Sequence, residues 1–424
     1  MADDATGREA PTRRDYLTYG GTVVVGGLLA GCVGGSSPGA EATPEATETE
    51  AADTGTTTPA GTETPTPGET ETTANTTDDA GYSVTMAPMG EVAFESVPET
   101  AAIYDAVWAD HLVALGQQDR IVSLGWPDRY FTGFYDELPG VSFDTGDLPG
   151  MWSDGLPKEL FYELDADVHH LDPCRWLSFD SGWDRGDFEE VGNNVGPFFA
   201  NRFSRAHSQP PEGECRDAYQ YYTLWELAET FSQVYRVENR GERLQTVHEE
   251  MVAAIRERLP PESERPTVAL VVYNPEEETF GTYEINGPGF AKAHYRPLEP
   301  VGAFADSDKT YAKNYSDVDL EEMLEVDPDV IIHHWDIEPS DRFEALLALE
   351  DHPVGKELAA IRNERVYVGG TPMQGPIFNL FQLENAARQI YPEQFGEFRG
   401  VGETPDEEKL FDRKRVADIL SGDR

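Results

Sequence analysis

The sequence predicts an α/β protein of two similar lobes, each a mostly parallel sheet flanked by helices, joined by one long helix with a ligand cleft between the lobes. Three observations carry that prediction. From Thr100 onward, short apolar runs alternate with amphipathic stretches, the pattern of strand–helix units that feed a parallel sheet. Glu238–Leu259 keeps a 3.6-residue apolar period through Leu244, Val247, Met251, Val252, Ile255 and Leu259. At 1.5 Å per residue such a helix is roughly 33 Å long, enough to run along two adjoining lobes. Finally, the pattern of Leu156–Val168 recurs in Asp319–Val330: a short amphipathic helix, an Asp-x-Asp turn and a strand.

The chain opens on a candidate export signal, residues 1–31. Thr12-Arg13-Arg14-Asp15-Tyr16-Leu17 precedes a Gly/Val/Leu run that ends in Leu29-Ala30-Gly31-Cys32. A twin arginine before a short apolar run marks the twin-arginine route. The run from Gly20 to Gly31 is shorter than the roughly 20 residues that span a bilayer. Its end resembles the lipobox of bacterial and archaeal lipoproteins, which implies cleavage before Cys32 and a lipid on that thiol. The expected location is the extracellular face of the cell membrane, held only by the lipid. Residues 32–81 are Thr, Glu, Pro, Ala, Gly, Ser and Asp with almost no apolar bulk, the composition of a disordered, extended tether. Asn75-Thr76-Thr77 and Asn314-Tyr315-Ser316 are N-x-[ST] sequons.

Charge narrows the setting and the partners. The 424 residues carry 32 Lys+Arg against 80 Asp+Glu, a net charge of -48. Lysine is scarce beside arginine, and the acidic residues are spread along the whole chain. Such self-repulsion is relieved by concentrated salt with its short Debye length. The pattern resembles haloarchaeal proteins. It argues against nucleic acid or anionic phospholipid as a partner.

The body divides into an N-terminal lobe at 82–236, the interlobe helix at 237–260, a C-terminal lobe at 261–395 and a tail at 396–424. In order, the pattern predicts a strand at Thr100–Tyr104, a helix at Trp108–Leu115 and a strand at Arg120–Leu124. A helix at Pro157–Leu164 and a strand at Asp167–Leu171 follow. Ala218–Tyr235 reads as helical, then the long helix runs to Pro260-Pro261, and alternation restarts with the strand Thr267–Tyr273. The tail holds a short helix near Asp406–Leu420, with Leu410, Phe411, Val416, Ile419 and Leu420 available to pack. Beyond Cys32, only Cys174 and Cys215 remain; in an oxidising compartment they are a plausible disulfide pair.

At this point the body, roughly residues 82–395, resembles a known family. Its marks are Glu99–Tyr104, Ala109-Asp110-His111-Leu112-Val113-Ala114-Leu115-Gly116, Arg120–Gly125, Leu320–Ile332 and Ile361–Val368, in that order. They resemble the substrate-binding proteins of ABC importers that carry iron–siderophore complexes, haem or cobalamin, the helical-backbone class III type. One departure is Asp165-Ala166-Asp167, where the family usually has Pro before the second Asp. The resemblance implies a rigid interlobe helix and limited closure on ligand. It also implies one glutamate per lobe docking on arginines of the permease; the matching positions are Glu159 and Glu321. An ATPase partner comes with the permease.

Open α/β sheets bind ligands at the carboxyl ends of their strands. That points to Tyr104, Trp126, the segment from Asp172 to Trp176, and His333, His334 and Trp335. Trp152 lies just before the first docking glutamate, where cobalamin-binding relatives place an aromatic. Tyr283 opens a glycine-bearing loop that runs to Phe290, with Tyr295 and Arg296 beyond it. Aromatic faces suit a large, partly apolar chelate and a basic residue suits an anionic one. By the repeat register His169 and His170 align with Ile331 and Ile332 and belong inside a strand, whereas His333 and His334 reach its end and are candidates to face the cleft.

The expected function is a monomeric, non-enzymatic surface protein that captures a ferric siderophore or related iron chelate, with cobalamin or haem as the alternative cargo. No resident cofactor and no protein-held metal are expected. A surface metallohydrolase is the rival from another class; against it, the sequence has neither His-Glu-x-x-His nor Gly-x-Ser-x-Gly. A ligand-free adhesion or sensor module is a third reading.

Overall fold

The computed structural model describes residues 81–152, 155–180, 182–207, 210–305 and 316–422. The export signal, Cys32, the tether as far as residue 80, and the sequon asparagines Asn75 and Asn314 lie outside the described residues.

In the N-terminal lobe, a hairpin of β1 (Tyr82–Met86) and β2 (Gly90–Phe94) precedes a parallel sheet of β3 (Ala101–Ile103), β4 (Ile121–Leu124) and β5 (Val168–His170), in the order β4-β3-β5. Ala101 and Ile103 face one apolar layer with the Ala106–Ala114 and Leu224–Val234 helices, while Ala102 faces another with Phe161, Trp176 and Phe198. The strands are buried on both faces, which is why they read as apolar runs rather than as alternation.

The C-terminal lobe repeats this plan on a larger, mixed sheet. Its order is β11 (Val366–Val368), β10 (Val330–His333), β6 (Thr267–Asn274), β7 (Thr279–Tyr283) and β9 (Ser316–Asp319), with β8 (Val301–Gly302) also on β6. β6, β8, β10 and β11 run parallel, and β7 and β9 are antiparallel additions.

The repeat read from the sequence has a physical cause. Each short helix, Lys158–Leu164 and Leu320–Val326, ends on a left-handed aspartate, Asp165 (φ 46) and Asp327 (φ 40). Two residues later an aspartate clasps a threonine at the head of the neighbouring parallel strand. Asp167 Oδ2 accepts from Thr100 N at 3.0 Å, and Asp167 N donates to Thr100 Oγ1 at 3.0 Å. In the second lobe Asp329 Oδ2 accepts from Thr267 N at 2.8 Å, and Asp329 N donates to Thr267 Oγ1 at 3.1 Å. The clasp sets equivalent registers, Ala101 opposite Val168 and Val268 opposite Val330. Asp165-Ala166-Asp167 needs no proline to make it.

The segment Ala218–Tyr235 is not one continuous helix. It is two helices, Glu214–Ala218 and Leu224–Val234, with residues 219–223 between them. Thr223 and Glu226 form a capping box that starts the second helix afresh. The interlobe helix covers Glu238–Arg256, 19 residues and about 28 Å.

That helix does not join the lobes alone. Pro376–Ile390, almost wholly buried, returns from the C-terminal lobe to pack against Ala106–Ala114 of the first. The tail helix, Arg413–Ser421, packs on Glu238–Arg256. One apolar cluster therefore contains Val113 and Phe134 of the first lobe, Leu270 and Ile332 of the second, and Val416 and Ile419 of the tail. Buried Arg413 pairs with Glu384 of the return helix and lies 3.6 Å from Glu137 of the first lobe. Asp110 accepts from the N–H of Phe378 at 3.0 Å, so a first-lobe carboxylate caps the start of the return helix.

Candidate functional site

The three parallel strands of the first lobe each deliver an aromatic at their carboxyl end. Tyr104 follows β3, Trp126 follows β4, and Trp176 sits on the Pro173–Leu177 helix after β5. Trp152 joins them from the loop that bridges back to β4, its N–H donating to Gly125 O at 3.3 Å. The ring centroids of Tyr104 lie 5.2, 6.4 and 4.9 Å from those of Trp126, Trp152 and Trp176. Trp152 is 6.0 Å from Trp126 and 5.8 Å from Trp176. The four sequence-predicted residues thus form one aromatic box. Trp176 is 1% exposed and is its floor, while Trp126 and Trp152 are partly exposed walls.

Beside the box stands a set of arginines, two of which sequence reasoning missed. Buried Asp172 caps the Pro173–Leu177 helix, accepting from Cys174 N (2.9 Å) and Arg175 N (3.2 Å). It also accepts from Arg202 N (2.8 Å) and Tyr219 OH (2.7 Å), which ties the loop 202–205 to the helix. Cys174 and Cys215 are joined, with Cα atoms 5.9 Å apart, and fasten the same helix from the other side. Arg202 Nε donates to Asp105 at 3.0 Å. Arg205 has no such partner: its Nε is buried without a hydrogen bond. Burial first, then the charges of Arg202 and Arg175, push the Arg205 pKa well down; burial and Arg202 do the same, less strongly, to Arg175.

The second lobe meets this wall directly. The Arg205 guanidinium lies over the Trp335 ring, 5.4 Å from its centroid. Trp335 holds φ 83, a left-handed conformation costly for an aromatic residue and of the kind that gathers at functional sites. Gly289, at φ 102, comes so near that a Cβ there would sit 2.3 Å from Arg205 O, so only glycine fits. Arg296 supports that loop by donating to Gly287 O (3.0 Å) and Gly289 O (2.8 Å). Lys292 lies 5.6 Å from the Tyr283 ring centroid. Burial, with Arg205 and Arg296 adding to it against Glu284, lowers the Lys292 pKa to about 8. His334 is buried beside Tyr283, with ring centroids 4.9 Å apart. Burial and then Lys292, His294 and Arg205 hold it neutral.

The periplasmic binding protein family model matches residues 206–372. A periplasmic binding protein from Veillonella parvula is 17% identical with a TM-score of 0.52, covering 71% of this chain and 87% of its own. Ceue from Helicobacter pylori, solved with Ni(II) bound, is 17% identical with a TM-score of 0.50, covering 77% and 98%. The petrobactin-binding protein YclQ from Bacillus subtilis is 12% identical with a TM-score of 0.50, covering 73% and 97%. No curated protein sequence matches this chain. The fold is that of the periplasmic binding proteins.

Two expected cleft residues, Tyr295 and His333, lie in the core instead. Tyr295 is fully buried, its hydroxyl donating to Gly369 O at 2.6 Å, because its short 3-10 segment turns it into the core shared by both lobes. His333 is buried under the opposite face of the second sheet. Its Nε2 accepts from Tyr273 N at 3.1 Å, its Nδ1 lies 2.7 Å from Asp336 Oδ2, and its ring meets Phe343. Strand alternation explains this, since His333 shares the face of Ile331 and not that of Ile332. His169 and His170 lie inside β5, buried, with His170 hydrogen-bonded to Phe199 O and Tyr235 OH at 2.8 Å each. Glu159 and Glu321 both occupy the first turn of their matched helices and are exposed. Among the described residues, no group of three or more His, Cys, Asp or Glu side chains converges as a metal site.

Proposed function

We propose that this protein is the solute-binding component of an ABC importer, capturing a ferric siderophore or related iron chelate in the cleft and passing it to a membrane permease and its ATPase. The observation that carries the reading is the aromatic box of Tyr104, Trp126, Trp152 and Trp176 at the carboxyl ends of three parallel strands in a periplasmic-binding-protein fold, on the lobe whose Arg205 meets Trp335 of the other. Large aromatic surfaces held rigid suit a bulky, partly apolar chelate, and no side chain need ligate its metal. A petrobactin-binding protein among the structural neighbours is in keeping with this reading. Glu159 and Glu321, exposed on equivalent helices, are the carboxylates offered to basic pockets of the permease. The twin arginine and Cys32 support a place on the outer face of the membrane, held by a lipid anchor.

Three box residues are tryptophans, so occupancy will quench intrinsic fluorescence. Titration in molar salt with ferric hydroxamate and catecholate siderophores, cobalamin and haemin is the test. Saturable quenching by an iron chelate supports the proposal. Saturation by cobalamin or haemin alone replaces the cargo, and silence from all of them in folded protein overturns it.

A further inference from the structure

We infer that the cleft selects chelates of net negative charge, and that Arg175, Arg205 and Lys292 are the groups that read that charge; the inference rests on the chelate-binding reading above. In a chain of net charge -48, cations would be expected to spread out among carboxylates. Here Arg175, Arg202, Arg205, Lys292 and Arg296 gather where the lobes meet and feel one another's charge, five cations against the three carboxylates that also act on them, Asp105, Asp172 and Glu284. Among the described residues only Arg202 of these five forms an ion pair, with Asp105 at 3.0 Å. Arg175 is held by a neutral hydroxyl, Ser178 Oγ at 2.8 Å, and Arg296 by backbone carbonyls. Arg205 rests on the Trp335 ring with its Nε unpaired, and Lys292 lies near the Tyr283 ring.

Removing cations from water without partners is costly, and crowding like charges adds to the cost. A bound anion reverses both effects at once. The three groups come from different places: Arg175 from the helix after β5, Arg205 from the loop 202–205, and Lys292 from the second lobe. An anion between them is therefore held from both lobes, and its charge favours the closed arrangement. The adjacent aromatic box takes the apolar part of the same ligand. Such a site discriminates by charge among chelates of one metal and similar size, because a neutral or cationic complex leaves the cations unpaired.

Three ferric complexes separate charge from shape. Ferric enterobactin, a tris-catecholate, is trianionic; ferrichrome, a tris-hydroxamate, is neutral; ferrioxamine B carries a free ammonium and is cationic. The full chain is titrated with each at pH 7 by tryptophan quenching, for the natural sequence and for Arg205→Gln, Lys292→Gln and Arg205→Lys. Circular dichroism verifies that each variant is folded. The expected result is affinity for ferric enterobactin at least about tenfold above that for the other two. The two glutamine variants should each lose about tenfold for it, and Arg205→Lys should retain the preference. Equal or tighter binding of ferrichrome or ferrioxamine B, or variants that weaken all complexes alike, would overturn charge selection while leaving chelate binding intact. No binding of any complex would overturn both.

Discussion

Asp110 offers the sharpest test of how the lobes are held. It is fully buried, and its carboxylate receives Phe378 N–H at 3.0 Å and Tyr135 OH at 2.9 Å, with Tyr130 OH 2.6 Å behind Tyr135. Burial outweighs these donors and raises its pKa from 3.8 to about 7. Because the folded pKa lies above the unfolded one, the folded state holds a proton that the unfolded state has lost between those values. The stability this group contributes is full below about pH 4 and declines as pH rises through 7. At 1.36 kcal/mol per pH unit, the shift amounts to about 4 kcal/mol. Asp110→Asn keeps an acceptor oxygen for Phe378 and Tyr135 but cannot ionise. His111, lowered from 6.5 to about 4, adds an opposite slope between those values, but it is present in both proteins and cancels in the difference. Tyr130 and Tyr135, raised well above their usual value, do not titrate in the range. Urea unfolding of both proteins, at fixed ionic strength from pH 4 to pH 8, should show the difference moving toward the variant by up to about 4 kcal/mol, with unchanged m-values. A difference that stays flat across that range would mean Asp110 is ionised throughout. The donors at the start of the return helix would then outweigh burial, and the reasoning would fail.

Other expectations follow from the contacts described. The Cys174–Cys215 bond closes a separation of 41 residues, so Cys174→Ser/Cys215→Ser should lose roughly 4 kcal/mol in urea unfolding. A reductant that leaves the unfolding of the natural protein unmoved would contradict this. Arg413→Ala takes from buried Glu384 its closest cation, leaving it Arg388 at 3.4 Å and the Leu410 N–H, and removes a guanidinium stacked on Phe381 and Phe411 at 4.3 and 3.8 Å; a loss of about 3 kcal/mol is expected by thermal or urea unfolding. Charge reversal at Glu159 or Glu321 should leave chelate affinity within about twofold while abolishing delivery in vesicles carrying the permease. Uptake that persists in the double variant would remove those two residues from docking.

Local signals carried much of the architecture. The long helix announced itself through Leu244, Val247, Met251 and Ile255, and the Asp-x-Asp pattern marked both lobes because a threonine clasp depends on it. Tyr104, Trp126 and Trp176 were legible because strand–helix alternation places the strand ends, whereas Trp152 came only from the family resemblance. The return helix Pro376–Ile390 left no such trace. It is buried nearly all round, so it has no polar face to give a period, and its Asn379, Gln382, Glu384, Arg388 and Gln389 resemble surface residues while sitting in the core. Arg202 was missed because it reaches Asp105 across 97 residues of chain, and Arg205 because it meets Trp335 of the other lobe, convergences that no local pattern records. His333 was misplaced for want of a parity count along β10.

The shared seam behind the cleft bears on how the molecule is made. Val113, Leu270 and Ile419 occupy one apolar cluster, although they belong to the beginning, middle and end of the folded body. A nascent chain cannot complete that cluster lobe by lobe. The first lobe waits with a bare flank until the second arrives, and both wait for the last dozen residues. Cutting before Arg413 would not trim an appendage. It would leave open the interior that both lobes depend on, so that the final turn of chain acts as the fastening of the whole body.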